Sequence, residues 1–326
     1  ASALTIGRVA LPEMKRFDYD SKFAAGAVAA GGTLGILIPP STGFIIYAIL
    51  TEESIGRLFL AGVIPGLILS GCFMAAIWIL TMLNPAIGPA GEKFGFMDRI
   101  KLLIRSTAIL MIIIISIGGI YGGAFTPVEA AAVGAVLAFL FSLTRKEFTL
   151  KGFIDALLKT VATTVMIYFI IIGASVFSPF LALTQIPSTL AHTLIEMALH
   201  PVVLLALVLA VFIFLGTFLD GFAMMVLVLP IVLPIIQQSG IAEVLGITSE
   251  SDLIIWFGVI MVIVLEMALI SPPVGMNVFV VKSVSDISMK EIYRGIMPFW
   301  VAMLVCLIVI VTFPQLSLYL PATMKN

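Results

Sequence analysis

Charge is scarce in this chain. Only 11% of its 326 residues are Asp, Glu, Lys or Arg, where a soluble domain carries about a quarter. Seventeen basic residues against eighteen acidic ones leave a net charge of −1, so no basic field exists to hold the phosphates of a nucleic acid. Cysteine is rarer still. Cys72 and Cys306 both sit inside long apolar runs, which indicates no disulfide framework. The histidines are His192 and His200. No HExxH, CxxC or GxxxxGKS/T pattern occurs, which removes the usual signatures of zinc proteases, thiol-redox proteins and ATP-driven machines. The chain opens Ala1-Ser2-Ala3-Leu4, with no initiator Met and no signal-peptide pattern. It is expected to be a piece that starts partway through a longer protein.

Apolar residues are what the chain has: 61%, against the 45–50% or so of a soluble domain. Together with the missing charge, this makes the class a polytopic membrane protein in a lipid bilayer. At about 20 residues per crossing, the length allows roughly eight to ten passages. Apolar segments fall at 22–50, 58–83, 102–122, 127–143, 153–183, 201–218, 222–238, 253–281 and 295–313. Residues 1–14 read as the last limb of an earlier element, and 84–101 is the longest polar link.

Basic residues mark cytoplasmic loops. They cluster at Lys15, Arg16 and Lys22; at Lys93, Arg99, Lys101 and Arg105; at Arg145, Lys146, Lys151 and Lys159; and at Lys282, Lys290 and Arg294. With all four clusters inside, 22–50 runs outward and 253–281 runs inward. Between them, 153–281 must cross an even number of times. Either all four of its apolar segments span, or 201–218 and 222–238 form a re-entrant hairpin on the outer face. Charge placement allows both.

Two segments match without gaps. Gly35-Ile36-Leu37-Ile38-Pro39-Pro40, with Gly62 and Pro65 following, pairs with Ala268-Leu269-Ile270-Ser271-Pro272-Pro273, with Gly295 and Pro298 following. Every pair is offset by 233 positions (35 to 268, 62 to 295). Opposite directions of travel make these inverted repeats, a design of secondary transporters. Pro-kinked helices packed for shape are the plainer alternative.

Glycine weakens a helix and proline removes N–H donors, so Gly31-Gly32 with Pro39-Pro40, and Pro272-Pro273, predict breaks inside apolar segments. Freed carbonyls in hydrocarbon need a polar partner, and a hard monovalent cation suits them. Ser41, Thr42 and Ser271 add hydroxyls, and Asn277 adds an amide. The helix that starts after each Pro-Pro points its positive end at the break, which suits an anion.

A third break, Gly216-Thr217-Phe218-Leu219-Asp220-Gly221, holds an acid. Asp220 reads either as a ligand-site residue or as the N-cap of the next helix. Glu266 reads as an acid that holds the neighbouring break, and Glu129 as a first-turn acid. His192, Glu196 and His200 share a helix face, read as an interfacial helix rather than a metal site.

Taken together, these residues resemble a known family. The carriers are Leu11-Pro12-Glu13-Met14; Gly32-Thr33-Leu34-Gly35 through Ser41; Leu58-Phe59-Leu60-Ala61-Gly62-Val63-Ile64-Pro65-Gly66; Gly119 through Ala132 around Thr126-Pro127; and Ser271 through Asn277. In this order, and over essentially the whole chain, they resemble the large, DctM-like membrane subunit of TRAP (tripartite ATP-independent periplasmic) transporters.

The resemblance implies an all-α polytopic fold with inverted repeats, re-entrant hairpins and two broken helices that moves as an elevator. It favours the hairpin reading of 201–238. The expected organisation is a single transporter domain over 1–326. Residues 1–65 end the first repeat core, 66–200 form scaffold and connecting helices, 201–298 form the second repeat core, and 299–326 hold the last helix.

The implied activity is sodium symport of an organic anion, such as a C4-dicarboxylate or sialic acid, in the bacterial inner membrane. Sodium is the coupling ion, and no organic cofactor is implied. The implied partners are a small TRAP membrane subunit and a periplasmic substrate-binding protein. Carried over by motif, Gly35, Ile38 and Pro40 would hold one sodium, and Gly216, Ala268 and Ser271 another. Ser41, Thr42, Asp220 and Asn277 would face the substrate. The Ser-rich tip of a first hairpin is expected just before Ala1. An intramembrane enzyme using Asp220 and Glu266, or an ion channel, are the alternatives.

Overall fold

The computed structural model describes residues 2–89, 95, 97, 107–144, 148–197 and 199–324. The start of the expected 102–122 segment, most of the polar link after Pro89, and Lys93, Arg99, Lys101, Arg105, Arg145 and Lys146 lie outside the described residues. In chain order the helices are α1 (Ser2–Arg16), α2 (Ser21–Gly31), α3 (Leu34–Leu37), α4 (Thr42–Thr51), α5 (Ile55–Leu83), α6 (Thr107–Tyr121), α7 (Pro127–Thr144) and α8 (Leu150–Thr184). They continue as α9 (Ile186–Glu196), α10 (Pro201–Gly216), α11 (Gly221–Gln238), α12 (Ile241–Leu245), α13 (Glu250–Ile270), α14 (Met276–Ser283), α15 (Met289–Thr312) and α16 (Gln315–Ala322). Among the described residues no strand occurs, and six helices are long and apolar enough to cross a membrane. A seventh crossing is possible if residues 21–37 and 42–51, bent by 41°, count as one broken span.

The chain divides into two compact units. One comprises residues 1–91 and 178–321, the other 92–177 and 322–326. In the smaller unit α6 packs on α7, where the Ser116 hydroxyl donates to the Ala130 carbonyl at 3.3 Å. Glu129 plays the plain role expected of it. It accepts from the Thr126 amide and hydroxyl at 2.8 and 2.9 Å, and Thr126 caps the Glu129 amide in return, a reciprocal cap on the first turn of α7.

The larger unit carries both breaks. The first apolar segment stops at Leu37 and resumes at Thr42; the second stops at Ile270 and resumes at Met276. Both expected interruptions are present, and the Pro39–Pro40 and Pro272–Pro273 bonds are both cis. The glycines add an asymmetry, as expected of Gly31-Gly32: α2 and α3 are separated by a turn at Gly32-Thr33, whereas α13 is uninterrupted. The Gly31-Gly32 pair has no counterpart in α13, and the Thr33 hydroxyl bonds the Ala30 carbonyl at 2.8 Å.

Contacts between the two broken segments fix their relative direction. The Asn277 amide donates to the Ala29 carbonyl. Glu266 faces the backbone of Leu37. The Tyr47 hydroxyl donates to the Ile254 carbonyl at 2.7 Å. As one segment advances from 29 to 47, its partner retreats from 277 to 254. The repeats therefore run antiparallel past each other, as their direction in the sequence requires. α13 lies at the centre of this arrangement and is buried on every side from Leu253 to Ala268, as expected for a helix that is hydrophobic all round.

At one end of this ladder Arg57 of α5 donates to the Asp252 carboxylate at 2.6 Å and to the Ser251 hydroxyl at 2.8 Å. Ser251 donates in turn to Glu53 at 2.9 Å. The Arg57 and Asp252 side chains are 30% and 33% exposed, so solvent screens the pair only in part. Arg57→Ala is expected to destabilise the purified protein by about 1–2 kcal/mol, read as a lower unfolding temperature. Arg57→Lys should recover part of this, because an ammonium lacks the fork that reaches both partners. An unchanged melting temperature for Arg57→Ala would mean that this network does not tie the repeats together.

Candidate functional site

The site is built from helix ends. Pro272 and Pro273 have no N–H to offer the carbonyls of Ala268 and Leu269, one helical turn back. Ala268 takes a bond from the Ser271 amide at 3.1 Å instead. In the first break, Pro39 and Pro40 likewise withhold donors from Gly35 and Ile36. There the Ser41 hydroxyl turns back onto the Ile36 carbonyl while accepting from the Phe44 amide, and so caps α4. The residues expected to hold cations through backbone oxygen, Gly35 and Ala268, are thus equivalent positions that lose the same donor for the same reason.

The hairpin formed by α10 and α11 ends at residues 217–220, against the second break. Gly216 lies so close to α13 that a methyl placed on it would sit 2.6 Å from Ala268 Cβ. Gly221 abuts Leu265 in the same way. The tip and the second break line one cavity of about 510 Å³, with Thr217, Ser271, Pro272, Pro273, Met297 and Trp300 on its walls. The tip therefore stops at the level of the break and does not run past α14. At 16 residues α10 is about 24 Å long, short of a hydrocarbon core of about 30 Å. α11, at 18 residues, is among the six helices long and apolar enough to cross, so helix length alone does not separate the two readings of 201–238.

The structure brings Gly216, Ala268 and Ser271 together. Ser271 is 4% exposed. Its hydroxyl donates to the Met267 carbonyl at 2.6 Å and accepts from the Trp300 indole N–H at 2.8 Å. A hydroxyl has two acceptor lone pairs, so one remains for a cation. Sequence reasoning missed Trp300, which is half-buried; the available signal was that an indole N–H in an apolar segment needs an acceptor. It also passed over Thr217, which is 5% exposed and hydrogen-bonded to the Phe214 carbonyl at 2.8 Å.

Gly35, Ile38 and Pro40 lie together across α3 and the first break. The methyl of Ala3, on α1, lies where a side chain on Gly32 would have to go. Thr42 opens α4 and is exposed. Asp220 takes the capping role that was one of its two readings: its carboxylate accepts from the Phe222 and Ala223 amides at 3.0 and 3.3 Å, at the start of α11. Asn277 joins the start of α14 to α2. On α9, His192 and Glu196 are exposed and 3.9 Å apart, while His200 caps α10 through Val202. Among the described residues no group of three or more His, Cys, Asp or Glu could hold a metal.

Antiparallel broken segments with a hairpin seated on one break are the architecture expected of a secondary transporter. Comparison with known families agrees: residues 1–316 match the tripartite ATP-independent periplasmic transporter, DctM component. The chain belongs to this family.

Among its relatives is the C4-dicarboxylate TRAP transporter large permease protein DctM of Pseudomonas aeruginosa, 36% identical over 98% of this chain and 72% of that protein. Another is the sialic acid TRAP transporter large permease protein SiaM of Vibrio cholerae, 34% identical over 98% of this chain and 72% of that protein. A third is the isethionate TRAP transporter permease protein DctMQ of Oleidesulfovibrio alaskensis, 28% identical over 98% of this chain and 48% of that protein. Membership of the DctM family makes the chain a multi-pass transporter permease and sets the enzyme reading of Asp220 and Glu266 aside.

Proposed function

We propose that this DctM-family chain is the large membrane subunit of a sodium-driven importer of an organic anion in the bacterial inner membrane. It works with a small membrane subunit and with a periplasmic binding protein that delivers the substrate. The substrate class is a carboxylate of the C4-dicarboxylate or sialic acid kind, by analogy with the two relatives named for those substrates. Sodium is held at the two breaks, by Gly35, Ile38 and Pro40 in one and by Gly216, Ala268 and Ser271 in the other. Ser41, Thr42, Asp220 and Asn277 lie at the helix starts that face the substrate. Net charge is −1, so the anion is attracted by bound sodium and by the positive ends of α4 and α14. The paired hairpin and broken segment then carry it across as an elevator.

One observation carries this reading: the hairpin tip is seated on a break whose prolines withhold their donors from the Ala268 and Leu269 carbonyls, with a hydroxyl beside them. The test is sodium-dependent uptake by the complete transporter with its binding protein. Ser271→Ala removes one ligand and leaves the carbonyls. Apparent sodium affinity should weaken by about ten- to a hundred-fold, while Ser271→Thr is tolerated. Trp300→Phe separates ligation from packing, because it breaks the indole bond to Ser271 but keeps the hydroxyl. It should leave sodium affinity near wild type. Unchanged sodium dependence in Ser271→Ala would remove Ser271 from the site.

A further inference from the structure

The two breaks are held in different ways. In the first, the residue after Pro39-Pro40 is Ser41, and it caps the helix that follows. Its hydroxyl accepts from the Phe44 amide and turns back onto the Ile36 carbonyl. The Ser41 carbonyl accepts from the Ile45 amide at 3.2 Å. That break is fixed by its own residues. The 233-residue offset puts Val274 in the place of Ser41, and Val274 has no hydroxyl. Gly275, which precedes α14, supplies no side-chain cap either.

The second break is held from outside instead. On α15, the half-buried Tyr293 points its hydroxyl at the carbonyls of Pro273 and Val274, at 3.0 and 2.9 Å. A phenol has one proton to give, so the two carbonyls share it. Among the described residues nothing else hydrogen-bonds the carbonyls of 272–274. Seven positions further on, and so about 10 Å along α15, the Trp300 indole meets the Ser271 hydroxyl. One helix therefore lies along the whole turn from Ser271 to Val274. The counterparts of Tyr293 and Trp300 at the same offset are Leu60 and Leu67 of α5, which can donate nothing. No equivalent brace can exist at the first break.

We propose that Tyr293 is a positioning residue for the second cation site. It does not touch the cation. It ties Pro273 and Val274 to α15, and so keeps Ser271 and Ala268 in register with Gly216 at the hairpin tip. A cation that meets a loose turn must order it first, and that cost is taken from its affinity. The two sites are then unequal: local capping preforms the first, whereas the second depends on a distant helix. This inference rests on the sodium reading given above.

The test uses the complete transporter in lipid, with its binding protein. Tyr293→Phe keeps the ring and removes the hydroxyl. Its first readout needs no sodium. Hydrogen exchange at the amides of 274–277 should speed up by about two- to ten-fold, while residues 42–46 of the first break exchange as in wild type. The second readout is uptake against sodium concentration. Apparent sodium affinity should weaken by about two- to ten-fold, with the maximal rate at saturating sodium close to wild type. A packing defect alone would lower the yield and the maximal rate and leave the affinity in place. Unchanged exchange at 274–277 overturns the assignment outright. Faster exchange with wild-type sodium affinity, where Ser271→Ala does weaken that affinity, also overturns it, since Tyr293 would then hold the turn and not the site. If neither substitution moves the sodium dependence, the sodium reading fails at this break and the role of Tyr293 falls with it.

Discussion

Replacing Gly295 with alanine is expected to leave little folded protein in the membrane. Gly295 of α15 crosses Gly26 of α2, and the two backbones touch. A methyl on Gly295 would fall inside the Lys22 carbonyl, and one on Gly26 inside the carbonyl of Gly295 itself. Small residues at a crossing let membrane helices pack through their backbones, and here no flexible side chain can yield. Overpacking costs about 1–3 kcal/mol where neighbours can shift; backbone against backbone belongs at or above the top of that range. Total stabilities are only about 5–15 kcal/mol, so the loss of detergent-extracted, monodisperse protein should be large. Gly26→Ala should behave alike. Gly71→Ala on α5 is the control, because nothing lies within 4 Å of the added methyl, and it should be neutral or slightly stabilising. Normal yield and melting temperature for Gly295→Ala would mean that α2 and α15 do not cross this closely.

That crossing could not be read from the sequence. A glycine in an apolar helix is consistent with a packing contact, a kink or nothing at all, and which helix lies opposite is decided by the tertiary fold. The breaks, by contrast, were legible, because proline acts locally: it withholds a donor whatever surrounds it. The 233-residue offset and the basic clusters together set the direction of the repeats. The ladder from Asn277–Ala29 to Tyr47–Ile254 has that direction. Some segment ends were legible too: the runs expected to end at 83 and 238 stop at Leu83 and Gln238, whereas α15 starts six residues before the expected 295, where Ser288 caps it. Asn84 and Ser288 accept from the Ala86 and Glu291 amides.

Side-chain partners at the breaks were less accessible. Ser271 beside Pro272 reads as a free hydroxyl in the sequence, yet in the fold it already bridges Met267 and Trp300, a residue 29 positions away. Asp220 kept two readings because an N-cap and a ligand-site acid share the same local pattern. The cap geometry is what the fold added. Glu266 looked like an acid holding its own break; in the fold its carboxylate faces the backbone of Leu37, at the edge of the other break. The acid was visible in the sequence and that neighbour was not, because it comes from a segment 229 positions away.

Gly216→Ala should disable transport without unfolding the protein, and a second substitution should restore it. The new methyl would lie 2.6 Å from Ala268 Cβ and 2.9 Å from Met224 Sδ. The sulfur is the flexible end of a long side chain and can move aside. The Ala268 methyl is fixed to α13 and cannot. Carbon atoms pack at about 3.5–4.0 Å, so the hairpin tip must back away from the second break by about 1 Å. Displacement of that size is enough to cost on the order of a hundred-fold where geometry is demanding, and the cation site proposed between the tip and the break is such a case. Under the proposed sodium coupling, uptake should drop at least about ten-fold, with the melting temperature close to wild type because the strain is confined to a tip. Ala268→Gly alone removes a methyl near the end of α13 and should cost only about 1 kcal/mol. Combined with Gly216→Ala it clears the collision, so the double variant should transport far better than Gly216→Ala does. A double variant as inactive as the single one would show that the tip and the break do not meet at these two residues, and the second cation site would have to be sought elsewhere along the hairpin.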